Sequence, residues 1–155
     1  EGLVLCANTI HLLYDRLVKE TDVPIIHIAD ATAAEIKKLS VDTVALLGTK
    51  FTMEHEFFRQ KLAENGIEAI LPGEKDRKFI HESISSELAK NIFSDKTRDR
   101  YVSIIEGLAD KGAKGVILGC TEIPLLVKQE DVSIPAFDTT LIHSNAAVEF
   151  ALGQG

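Results

Sequence analysis

The stretch Gly115-Val116-Ile117-Leu118-Gly119-Cys120-Thr121-Glu122-Ile123-Pro124 decides the fold. Its apolar run, 115–118, is too short for a helix and reads as a buried strand. The run stops at a glycine, a thiol and two polar residues. A short helix then starts near Glu122, with Pro124 in the first turn, where a missing N–H costs nothing. Strand, tight turn and helix in so short a stretch are the repeating unit of a parallel α/β sheet, which binds ligands beyond the C-terminal ends of its strands. A second stretch, Leu5-Cys6-Ala7-Asn8-Thr9-Ile10-His11, is built alike and holds the other of the two cysteines. A thiol at a strand end, facing the N-terminus of the next helix, is well placed to ionise. Two such thiols on opposite walls of one cleft suit moving a proton on and off a carbon acid.

Outward from these stretches, apolar runs and amphipathic segments alternate. Residues 3–6 read as a short buried strand, followed by a helix over 8–19 with Ile10, Leu13, Tyr14, Leu17 and Val18 on one face. Residues 24–28 are strand-like, and Asp30 caps a helix running to 39. The clearest strand is 43–47, ending in Gly48-Thr49. Thr52 caps a helix to 65, with Gly66 as its stop. Residues 67–71 form a strand ended by Pro72-Gly73. Helices over 75–91 and 95–111 follow, the second capped by Ser94 or Asp95 and turning Tyr101, Ile104, Ile105 and Leu108 inward. Residues 134–137 give the last strand and 140–152 the last helix. The pattern predicts an α/β fold with mainly parallel strands and right-handed crossovers. A buried parallel strand needs neighbours on both sides, so the chain is expected to be the later part of a longer protein.

Composition narrows the partners. The chain has 155 residues, 45% hydrophobic and 26% charged, as expected of one average globular domain or two small lobes. A net charge of −7 argues against nucleic acid or an anionic membrane. No apolar run approaches the roughly 20 residues of a membrane span. No leader pattern opens the chain, so a cytoplasmic location with reduced cysteines is expected.

Three strand ends carry small polar groups at helix starts: 6–9, 49–52 and 120–122. Free backbone N–H groups there suit a carboxylate or phosphate. His27 and His81 sit in apolar contexts and read as structural. His11 and His55 fall in first helical turns near the proposed site, and His143 early in the last helix. No metal-ligand spacing, phosphate loop, dinucleotide fingerprint or nucleophile elbow is present, and nothing suggests a pyridoxal cofactor.

The ordered set Asn8-Thr9-x-His11, Gly48-Thr49-x-x-Thr52, Gly119-Cys120-Thr121-Glu122 and Asp138-Thr139 resembles the cofactor-independent aspartate/glutamate racemases over essentially the whole chain. The segments Ile28-Ala29-Asp30-Ala31-Thr32 and Ala45-Leu46-Leu47-Gly48-Thr49 are most similar to the subgroup specific for L-aspartate and L-glutamate. The resemblance implies two pseudo-symmetric α/β lobes with mainly parallel sheets and a cleft between them, usually in a homodimer. Lobe one is expected over 1–28 and 134–155 and is incomplete; lobe two is expected over 29–133. It implies 1,1-proton transfer on an acidic amino acid with no cofactor and no metal, between a thiolate of depressed pKa and a thiol. Cys120 takes the role of base and acid. Asn8, Thr9, Thr49, Thr52 and Thr121 fall where donors hold the substrate carboxylate, Lys78 where some members bind the side-chain carboxylate, and Glu122 in a supporting position.

Two departures bear on activity. Ala7 occupies the usual first-cysteine position, and Cys6 lies one residue earlier, where strand alternation would turn it away from the cleft. About half a lobe that family members carry before this strand, with a glycine-rich loop, is also absent from the sequence. The main expectation is a racemase of aspartate or glutamate. The alternative is an inactive or impaired relative that binds an acidic amino acid or dicarboxylate without racemising it.

Overall fold

The computed structural model describes residues 1–153. Two parallel sheets form. The smaller pairs β1 (Leu3–Val4) with β2 (Ile25–Ile26). The larger contains β3 (Thr43–Gly48), β4 (Glu68–Ile70), β5 (Val116–Gly119) and β6 (Ala136–Asp138) in the order β4-β3-β5-β6. The helices are α1 (Tyr14–Leu17), α2 (Ile28–Lys38), α3 (Lys50–Glu54), α4 (Glu56–Glu64), α5 (Glu74–Ser86), α6 (Asp95–Ala109), α7 (Ile123–Leu126) and α8 (Thr139–Ala151).

The expected α/β architecture is present, and the strand alternation explains its layers. Ala45 and Leu47 of β3 face a core that holds Ile80, Ile84, Tyr101, Ile104 and Ile105 of α5 and α6. Val44 and Leu46 face the opposite core, with Ala33 and Ile36 of α2 and Phe58 and Leu62 of α4. Buried on both sides, β3 reads as a continuous apolar run. Each large side chain buried here contributes roughly 1.5–3 kcal/mol.

After β3 the chain builds β4 on one side, then returns to lay β5 on the other. The direction of winding therefore changes between β3 and β5, and such a switch opens a crevice at the strand ends. Gly48 stands opposite Gly119 in the register. A Cβ on Gly48 would lie 2.8 Å from the Gly119 carbonyl oxygen, and one on Gly119 2.7 Å from that of Leu47. Only glycine allows the two strand ends this close. The Thr52 methyl caps both.

The structure departs from the sequence reading at several points. Leu3 and Val4 are exposed, because β1 has only β2 as a partner among the described residues. The helix expected over 8–19 is a 3₁₀ turn, Thr9–Leu13, followed by α1. The tighter winding changes which residues share a face, so Ile10, Leu13 and Val18 are exposed while His11 is buried. His27 rather than Asp30 caps α2, its Nδ1 accepting the Ala29 N–H at 3.1 Å. Thr49 rather than Thr52 caps α3, and the helix expected over 52–65 breaks at an extended His55. β6 is hydrogen-bonded to β5, so the larger sheet continues to Asp138. α8 then packs on α2 and β2. No helix among the described residues is long and apolar enough to cross a membrane.

Candidate active site

The crevice between β3 and β5 gathers most of the polar residues picked out in the sequence. Thr49 follows β3, and its Oγ1 accepts the Thr52 N–H while lying 3.3 Å from Thr52 Oγ1. From across the crevice Thr9 Oγ1 comes within 3.2 Å of Thr49 Oγ1. The three hydroxyls form a row from the 3₁₀ turn to the larger sheet. Asn8 is buried, with an Nδ2–H donated to Thr139 Oγ1 at 3.0 Å; Thr139 in turn donates to the Leu118 carbonyl at 3.0 Å. Asn8 Oδ1 is buried with no hydrogen-bond partner among the described residues, an unusual condition for a polar atom in a folded interior.

Cys120 follows β5. Its Sγ–H donates to Glu122 Oε2 at 2.8 Å, and Thr121 Oγ1–H donates to the same oxygen at 2.7 Å. The expected depressed thiol pKa is not found. Burial, and then the hydrogen bond to the Glu122 carboxylate, push the thiol up to about 12. The Glu122 and Thr121 backbone N–H groups offset this only in part, and no cation among the described residues acts on the sulfur. Burial also pushes the Glu122 carboxyl up, but the bonds from Cys120 and Thr121 outweigh it and hold the group below its usual range. The pair's negative charge therefore sits on Glu122, and Cys120 rests as a thiol.

Cys6 is exposed, with its Sγ 3.8 Å from the Val4 carbonyl. Strand β1 ends at Val4, and the Ala7 N–H folds back to the Leu5 carbonyl at 2.8 Å. Strand alternation stops there, and Cys6, Ala7, Asn8 and Thr121 all line one small pocket of about 100 Å³. Both cysteines are free. Lys78 lies elsewhere. It is exposed, 3.8 Å from Glu82, and lines a separate groove of about 570 Å³ with Lys50, Arg77 and His81.

Two features escaped the sequence reading. The hold of Thr139 on Asn8 joins residues far apart in the chain, and only the Asp138-Thr139 strand end hinted at it. His11, His27 and His143 form a buried cluster, with His11 ring centroids 4.6 Å from His27 and 5.6 Å from His143. Only His27 sits in an apolar sequence context that signalled burial, and nothing in the sequence signalled the contact.

Comparison with known proteins follows the same outline. The sequence profile described as Asp/Glu/Hydantoin racemase matches residues 1–147. The structure superposes with a TM-score of 0.93 on a candidate Asp/Glu racemase from Yersinia pestis, at 45% identity, covering 98% of this chain and 66% of that one. An aspartate racemase homologue from Pyrococcus horikoshii OT3 gives 0.90 at 40% identity, with coverages of 98% and 67%. The broad specificity amino-acid racemase RacX of Bacillus subtilis (strain 168) is 24% identical over 148 residues, 94% of this chain and 63% of that protein. The chain thus spans about two thirds of the length of these relatives.

Proposed function

The chain belongs to the Asp/Glu/Hydantoin racemase family, and from that premise we propose that it inverts the α-carbon of an acidic amino acid, aspartate or glutamate, by cofactor-independent proton transfer. The observation that carries this reading is the Cys120–Glu122 pair, 2.8 Å apart, at the strand end beside the threonine row. To act as base, Cys120 first passes its proton to Glu122 Oε2, leaving a thiolate and a carboxylic acid. The thiolate then takes the substrate α-proton, and the opposite face of the planar carbanion is reprotonated by a water or by the Cys6 thiol; in the reverse direction that second group removes the proton and the Cys120 thiol delivers one. The substrate ammonium supplies the positive charge the pair lacks and favours the thiolate. Thr9, Thr49, Thr52 and Thr121 donate to the substrate carboxylate, where carbanion charge spreads. Asn8, held by Thr139, offers Oδ1 to the ammonium. Lobe one over 1–28 with 134–155 and lobe two over 29–133, joined through the pairing of β6 with β5, enclose the substrate between them. A homodimer in the cytoplasm is the expected working form, by family resemblance and acidic composition.

One observation favours the alternative of binding without racemisation: Ala7 has no proton to give, while Cys120 rests protonated. Proton NMR in heavy water, on separate samples of L- and D-aspartate and glutamate, decides between them. Exchange with loss of chirality, abolished by Cys120→Ser, supports the racemase. Exchange of one enantiomer with retention leaves Cys120 as a lone base. Saturable binding without exchange supports the alternative.

A further inference from the structure

His11 stands next to the crevice, 1% exposed, and takes no part in the chemistry proposed above. Both of its ring nitrogens are engaged. The Ile28 N–H, which can only donate, points at Nε2 at 3.2 Å. Nε2 is therefore the bare nitrogen, and the proton sits on Nδ1, which donates to the Ala7 carbonyl at 3.0 Å. One imidazole thus ties the Ala7–Asn8–Thr9 turn to the first residue of α2. Its neighbours fix the ring from two further elements. His27 packs edge-on while capping α2, and His143 of α8 donates Nε2–H to the Ile26 carbonyl at 2.7 Å. This turn carries Thr9, which meets Thr49 across the crevice, and Asn8, which meets Thr139.

We infer that His11 is a positioning residue for the racemase reading above: in its Nδ1–H form it sets the turn that presents Asn8 and Thr9 to the substrate. The two nitrogens are separable by substitution. An asparagine amide lies near the Nδ1 position and can still donate to Ala7; a glutamine amide lies near Nε2 and reaches Ile28 instead. The bond to Ala7 holds the turn itself, so the two variants differ in a defined direction. Displacing a substrate-holding group by about 1 Å costs on the order of 100-fold in rate. His11→Asn retains kcat/KM within about threefold, and His11→Gln loses it by about 100-fold.

Two measurements on the purified protein test this. Long-range proton–nitrogen NMR of the histidine rings at neutral pH is expected to show neutral His11 protonated on Nδ1; an Nε2–H or doubly protonated ring overturns the inference without any variant. Kinetics of both variants, with their urea midpoints and the Asn8 and Thr9 amide shifts, give the second test. Amide shifts that move in His11→Gln and stay in His11→Asn, together with the rate split, support the inference. Equal losses that follow the folded fraction overturn it, because they mark a purely structural histidine. If the tautomer and amide shifts come out as expected while the wild-type protein exchanges no α-proton, His11 still positions the turn and it is the racemase reading that falls.

Discussion

Replacing Glu122 by glutamine, in a Cys6→Ser background so that Cys120 is the sole thiol, separates the two causes that raise its pKa. The thiol rises from 9.0 to about 12, with burial the largest cause and the hydrogen bond to Glu122 the next. Three units correspond to about 4 kcal/mol at ~1.36 kcal/mol per unit. Glutamine keeps the shape and a hydrogen-bond acceptor but removes the charge. The burial part persists, so the midpoint is expected to fall by about one unit, roughly 1.4 kcal/mol. The assay is a pH titration of thiolate ultraviolet absorbance. Stability gives the same comparison: a raised acid pKa stabilises the fold fully below 9.0, and that contribution is lost as pH climbs toward about 12. The variant should lose less over that window. Activity moves the other way, because the acceptor of the thiol proton has gone, and kcat should drop about 100-fold. A midpoint that stays or rises would refute the reasoning, leaving burial alone as the cause.

Other consequences can be measured as directly. Ala7→Cys places a thiol on the pocket wall shared with Asn8 and Thr121, and racemisation should increase, read as loss of optical rotation from L-aspartate; an unchanged rate means position 7 does not face the α-carbon. Gly48→Ala forces a Cβ to within 2.8 Å of a backbone oxygen and should cost about 1–3 kcal/mol in urea unfolding, whereas a neutral change would deny the tight approach of β3 and β5. Burial, aided by the fields of His11, Lys61 and His143, lowers His27 to about 3. Its stabilisation is therefore complete above 6.5 and lost as pH falls toward 3, at most about 4–5 kcal/mol. His27→Asn keeps an N-cap while removing the titration, so its acid unfolding curve should be shallower than wild type. Tyr101→Phe removes the hydroxyl that meets Ser83 Oγ at 2.9 Å and donates to the Ile80 carbonyl at 3.2 Å, and should lower stability by about 1–2 kcal/mol by denaturant titration.

The sequence was most readable where one physical rule acts alone. Residues 44–47 are apolar because they are buried on both faces, and the strand is where the run predicts it. The inner face of α6, with Tyr101, Ile104, Ile105 and Leu108, follows from helical spacing, and Ser94 caps it as expected. Reading failed where tertiary context chose among local options. Residues 8–19 carry helical spacing, but the 3₁₀ turn answers to His11, whose partners Ala7 and Ile28 lie on either side of a long excursion of chain. Thr49 and Thr52 are equally good caps by type, and only the backbone at the end of β3 selects Thr49. For Cys120 the position was legible and the charge state was not. Sequence shows a helix start that favours thiolate, but the burial of Cys120, 8% exposed, and a carboxylate two residues on dominate it.

The paired glycines at the ends of β3 and β5 make one jaw of the crevice part of the deepest core. The other jaw, the turn carrying Asn8 and Thr9, hangs from a two-stranded sheet whose Leu3 and Val4 face solvent. Local opening free energy follows buried apolar contact. The amides of the Thr9 side should thus exchange with solvent through small, local excursions, while those of the Thr52 side wait for the whole domain to unfold. One wall of the crevice is thus as stable as the domain itself, while the other is only as stable as the few polar ties, through His11 and Asn8, that anchor it.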